Sequence, residues 1–154
     1  MTSPTPPSVD PRLDAGSLEA ASTFVRAAGL VLDEVTGSRV TGHVQLGPDH
    51  HTPWGIVHGG VYSTSIESAA SIGASTAVRD RGQLAVGLTN TTHFLRSLTA
   101  GRVLVEAVAL NQGRSQQLWQ VDVTDESGRL IAHGDVRLQN IAAQPSADQG
   151  EQRA

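Results

Sequence analysis

The sequence predicts an α+β domain, with one long helix lying on one face of an antiparallel sheet of five or six strands. Three observations carry this expectation. Residues 59–78 form a helix-length segment rich in Ser, Thr and Ala. A pair of strand-like runs precedes that segment, and a series of such runs follows it. The later runs are separated by short breaks of Gly, Ser, Asp and Thr, which suit hairpin connections.

Residues 1–16 are rich in proline and lack hydrophobic periodicity, so they read as a flexible tail. A short helix is expected over 17–28, with Ser17 as N-cap and Leu18, Ala21 and Val25 on one side. From Leu30 the pattern shifts towards period two through Val35, breaks at Thr36-Gly37-Ser38, and resumes with Val40, Val44 and Leu46. That is an antiparallel pair ended by Gly47-Pro48-Asp49. A loop from His50 leads into the helix, which stops at Arg79-Asp80-Arg81 with Gly82 placed for a C-cap. Strands follow over 84–95, 102–111, 115–124 and 129–141, the last two joined through Asp125-Glu126-Ser127-Gly128. His93, Phe94 and Trp119 fall in these strands and are expected in the core. Residues 142–154 read as a second frayed tail, leaving one domain over 17–141. One helix covers only part of such a sheet, which predicts dimerisation by edge-to-edge pairing.

Composition narrows the chemistry. With 38% apolar and 17% charged residues the chain is of globular type. Cysteine is absent, which removes disulfides, thiol nucleophiles and thiolate metal sites. All 11 basic residues are Arg, so Schiff-base and pyridoxal chemistry, which need a lysine amine, are excluded. The net charge of −4 argues against nucleic-acid binding. No apolar run approaches the roughly 20 residues that span a bilayer, and no secretory signal is visible at Met1, so the cytoplasm is expected. His50, His51 and His58 lack metal-site spacing and read as solvated loop residues, with no metal or other cofactor implied.

Between Asp49 and Arg79 the only fixed charge is Glu67. A carboxylate on a helix otherwise built of small and apolar residues is costly to bury unpaired, which marks it as functional. Gly59 and Gly60 open the same helix, so their N–H groups lack intrahelical acceptors and lie at its positive end. Without Cβ atoms they allow close approach of a ligand, and such an end suits an oxygen that becomes negative during reaction. At a rise of about 1.5 Å per residue, Glu67 lies roughly 12 Å along the helix from Gly59. The two therefore cannot act on one carbonyl from the same helix.

The run Trp54-Gly55-Ile56-Val57-His58-Gly59-Gly60-Val61-Tyr62 followed by Glu67 resembles the signature of hot-dog-fold acyl-CoA thioesterases. It is most similar to the phenylacetate-degradation (PaaI-like) branch and to the Gly-Glu type of 4-hydroxybenzoyl-CoA thioesterase. Ala85-Val86-Gly87, Asn90, Thr92, Phe94, Arg96, Gly113-Arg114-Ser115 and Asp125 to Leu130 extend the likeness, which spans about residues 29–141.

The resemblance implies hydrolysis of an acyl-CoA thioester. The Gly59 N–H is expected to polarise the carbonyl, and Glu67 to act as nucleophile or general base; the sequence leaves that choice open. Ser71, one turn further on, is expected to orient water or the carboxylate, and His58 to fix the turn or contact the thioester. Thr52 stands where relatives carry Asn or Gln, so His51 or Thr52 takes that contact. Arg96, Arg102, Arg114 and Ser115 are the candidates for binding coenzyme A, with Gly60 beside the thioester. The resemblance also implies a homodimer or dimer of dimers with active sites at the subunit interface, which brings Glu67 of one subunit to Gly59 of the other. Two alternatives are a hot-dog enoyl-CoA hydratase or dehydratase, whose His-Phe-Pro or His–Asp pattern is not found here, and a non-catalytic acyl-CoA-binding module.

Overall fold

The computed structural model describes Leu18 and residues 21–143. The helix predicted from residue 17 is shorter: α1 spans Thr23–Ala28, with the Ser22 hydroxyl accepting from the Val25 N–H and Gly29 closing it in the left-handed region. Ser17 and both expected tails lie largely outside the described residues. Strands β1 (Val31–Val35) and β2 (Arg39–Leu46) form the first hairpin. Helix α2 (Gly59–Val78) runs over the predicted residues, because both its ends are set locally. His58 caps the start, and a short 3-10 turn, Arg79–Arg81, leads to Gly82 at φ 66°. Strands β3 (Gln83–Phe94), β4 (Gly101–Gln112), β5 (Gln116–Asp125) and β6 (Leu130–Ala142) follow, so the last strand runs one residue into the segment expected to fray.

All six strands join one antiparallel sheet in the order β1-β2-β4-β5-β6-β3. The sheet wraps α2, which touches every strand. Alternation sorts the faces: Val103, Val105 and Ala107 of β4 point to the helix, while Leu104, Glu106 and Val108 face out. On α2 the buried residues Tyr62, Ile66, Ala69, Gly73 and Ala74 make the complementary stripe. Ile66 is fully buried and contributes about 1.5–3 kcal/mol by leaving water. Trp119 lies in the core as expected, its ring pressed onto the backbone of Gly73.

The two sheet edges differ. β1 is five residues long and carries Asp33 and Glu34, and Arg39 bridges Glu34 to Glu106 beside it. β3 has twelve residues, none charged, with Val86, Leu88 and Phe94 exposed. Its register against β6 shifts between Gly87, which faces Leu138, and Thr89, which faces Arg137, leaving Leu88 as a bulge.

Candidate active site

Helix α2 and edge strand β3 build the site around Glu67. The Glu67 side chain is half-buried, and it is not unpaired as its sequence context suggested. The Asn90 Nδ2 of β3 donates to Glu67 Oε2 at 3.0 Å and to the Ser63 carbonyl one helical turn earlier at 3.2 Å. The Thr92 hydroxyl donates to Asn90 Oδ1 at 2.7 Å. On the other side Gly87 lies directly against Glu67 Oε1, and no Cβ could stand there. In the sequence Asn90 and Thr92 only extend the motif. A polar run in an otherwise apolar edge strand was the available signal, but their target became visible only with the β3 bulge in place.

The start of α2 divides its two glycines. His58 adopts an extended conformation, and its Nδ1 accepts the Gly60 N–H at 2.8 Å. That nitrogen carries the lone pair, so in the neutral ring the proton is on Nε2. Gly60 therefore spends its donor on the cap, and Gly59 keeps an N–H with no acceptor among the described residues. The missing Cβ atoms make room for neighbouring side chains. At Gly59 a Cβ would stand 2.8 Å from Phe94 Cζ, and at Gly60 2.9 Å from His58 Nδ1. Phe94, expected in the core, is 55% exposed and lays its ring over Gly59, with Tyr62 at a centroid distance of 6.3 Å. The Tyr62 hydroxyl is buried without a partner among the described residues, and burial pushes its pKa up.

The loop before the helix is tied down rather than solvated. His50 accepts from the Gly47 N–H and donates to the Ala27 carbonyl, joining α1 to the loop. His51 donates to the Thr99 carbonyl at 2.6 Å. Thr52 builds the turn 52–56: its backbone pairs with Ile56 and Gly55, and its hydroxyl accepts from the Trp54 N–H. A pocket of about 280 Å³ opens between α1, this loop and α2, with Phe24, Ala28, His51, His58, Val61 and Thr64 in its wall. No group of three or more His, Asp or Glu side chains suited to hold a metal ion is gathered among the described residues. No described helix is long and apolar enough to cross a membrane.

The remaining predicted residues do not converge within one chain. Ser71 is half-buried one turn beyond Glu67, and no hydrogen bond joins the two. Arg96 and Arg102 are exposed near the α2 start, on either side of a connection that pairs Leu98 with Val57 and Thr99 with His51. Arg114 and Ser115 lie beyond the far end of β4, separated from Arg102 by roughly 33 Å of strand. There a buried amide network holds the turn. Gln117 donates to Asn140 Oδ1 and to the Ala74 carbonyl, and accepts from Trp119 Nε1. Asn140 Nδ2 in turn donates to the carbonyls of Gly113 and Arg114.

The single long helix wrapped by six antiparallel strands is the hot-dog fold that the motif implied. Residues 55–132 match the model of the Thioesterase superfamily. A Mycobacterium tuberculosis protein with a provisional esterase name is 38% identical over 130 residues, 83% of this chain and 93% of that protein. Its solved structure superposes with a TM-score of 0.76, covering 80% of this chain and all of that one. The 1,4-dihydroxy-2-naphthoyl-CoA hydrolase of Listeria monocytogenes is 32% identical over 67% of this chain and 83% of its own length. The proofreading thioesterase EntH of Klebsiella pneumoniae is 31% identical over 76% and 86%. The chain belongs to the thioesterase superfamily, and its class is that of thioester hydrolases.

Proposed function

We propose that the protein hydrolyses acyl-CoA thioesters at sites shared between two subunits, with Glu67 as the reacting carboxylate. The observation that carries the reading is the pairing of a free Gly59 N–H at the α2 start with a held carboxylate two turns along the same helix. The N–H supplies a donor for the carbonyl oxygen, which gains negative charge on attack. The carboxylate either attacks the carbonyl carbon, giving an anhydride that water opens, or removes a proton from the attacking water. In both routes water enters, the C–S bond breaks, and the sulfur leaves as the CoA thiol.

Because about 12 Å of helix separates the two groups, the reading requires a second subunit. The long uncharged edge of β3 is the surface that suits it. Glu67 is held by that same strand, so its carboxylate lies beside the seam. Antiparallel pairing of two β3 strands about a twofold axis reverses the ends of the molecule. Arg114 and Ser115 of one chain then fall at the end occupied by the partner subunit's Gly59, a place for the nucleotide of CoA. The 280 Å³ pocket borders His58 and Gly60 at the α2 start, a place for an acyl group beside the Gly59 N–H. The Listeria relative, named for an aryl-CoA substrate, supports acyl-CoA esters as the substrate class.

A panel of aryl- and alkanoyl-CoA esters, read by release of free thiol, tests the proposal. Hydrolysis of at least one ester, lost in Glu67→Ala, is expected. Binding without thiol release, or full activity in the Glu67→Ala protein, would overturn it.

A further inference from the structure

Both N–H donors of the Asn90 amide are used, and its orientation is not free. Nδ2 meets Glu67 Oε2 and the Ser63 carbonyl, while Oδ1 receives the Thr92 hydroxyl. Turned over, the amide would face two acceptors, the Ser63 carbonyl and the Glu67 carboxylate, with its oxygen, so these two fix its orientation and the Thr92 hydroxyl, able to donate or accept, donates. The three side chains thus form a directional chain of donors, from Thr92 to Asn90 to Glu67. Gly87 bounds the same carboxylate across the Leu88 bulge, so β3 holds it from two sides.

We infer that Asn90 is a positioning residue for Glu67 and that Thr92 anchors the far side of the Asn90 amide. The inference rests on the reading of Glu67 as the reacting carboxylate. A glutamate side chain has several rotatable bonds, and a carboxylate free to swing loses part of its reactive geometry at each turnover. A neutral amide fixes one oxygen without giving the carboxylate an ion-pair partner, and leaves it further lone pairs for water or substrate. Asn90 acts through Glu67 rather than on the substrate, so its effect belongs in kcat and not in KM.

The test compares Asn90→Ala, Thr92→Val, Thr92→Ser and Glu67→Gln on the acyl-CoA ester that the panel shows to be turned over best. Asn90→Ala and Thr92→Val are expected to lower kcat by roughly tenfold to a hundredfold with KM within about twofold. Thr92→Ser, which keeps the hydroxyl, restores kcat to within about threefold of the parent. If Asn90→Ala does not fold, the near-isosteric Thr92→Val against Thr92→Ser still decides. Parent-like kcat in Asn90→Ala and Thr92→Val beside an inactive Glu67→Gln overturns the positioning role and leaves the Glu67 reading standing. Equal losses in Thr92→Val and Thr92→Ser overturn it as well, as does a change confined to KM. An active Glu67→Gln overturns the reading of Glu67 itself.

Discussion

Gly87 and Glu67 meet with no room between them: a methyl group on the glycine would occupy the place of the carboxylate oxygen Oε1. Gly87→Ala is therefore expected to displace the carboxylate while leaving the sheet intact. Turnover should fall by about tenfold or more, with the melting temperature within a few degrees of the parent. Steady-state kinetics beside a thermal melt checks this, and a parent-like kcat would show that Oε1 can move without consequence.

His58 closes the start of α2 through its ring nitrogen, a role usually taken by Ser, Thr, Asp or Asn. His58→Ala removes the acceptor of the Gly60 N–H and should cost about 1 kcal/mol of stability. His58→Asn, which can accept the same bond, should recover most of that. Urea unfolding of the three proteins makes the comparison.

The amide of Gln117 joins Trp119, Asn140 and the Ala74 carbonyl inside the core. Gln117→Leu preserves volume but strands an indole N–H and an amide oxygen, at a cost of about 1–3 kcal/mol for each group left unpaired. A clear fall in melting temperature is expected. The Arg114 turn, held by the same Asn140, should show faster amide hydrogen exchange.

The β5–β6 hairpin depends on Asp125. Its carboxylate accepts from the Ser127 hydroxyl and from the N–H groups of Ser127 and Arg129, which hold its pKa well below the ordinary carboxylate range. A depressed folded pKa means that the unfolded chain takes up the proton first as acid is added. The stability from this group is present in full above the unfolded value of about 4 and is lost as pH falls below it towards the folded value. The melting-temperature gap between the parent and Asp125→Ala should thus be wide at pH 7 and narrower at pH 3.

Charges placed on the β3 edge should oppose pairing. The double variant Val86→Lys, Leu88→Lys is expected to sediment as a smaller species than the parent and to lose thioester hydrolysis with it. A parent-sized particle would move the subunit contact elsewhere.

The helix was legible to the residue because its ends are local features, His58-Gly59-Gly60 before it and Gly82 after it. Strand limits fell within a residue or two, since alternation marks the middle of a strand better than its end. The partnership of Asn90 with Glu67 was not legible. The two lie 23 residues apart, and the Leu88 bulge resets which β3 residues face the helix. Phe94 misled for a related reason: an aromatic residue in a strand reads as core, yet this one ends an edge strand and covers Gly59 from outside. The separation of Arg102 from Arg114 was available from strand length alone, whereas the ends they share with α2 required the sheet order.

The inequality of the two sheet edges limits how far association can go. A sheet with two open sides could add copies without end, as fibrils do. Here β1 is short and charged, and only β3 presents an uncharged row of backbone donors and acceptors. Under the proposed pairing through β3, the receptive side of both partners would be used up and strand addition would stop at two chains.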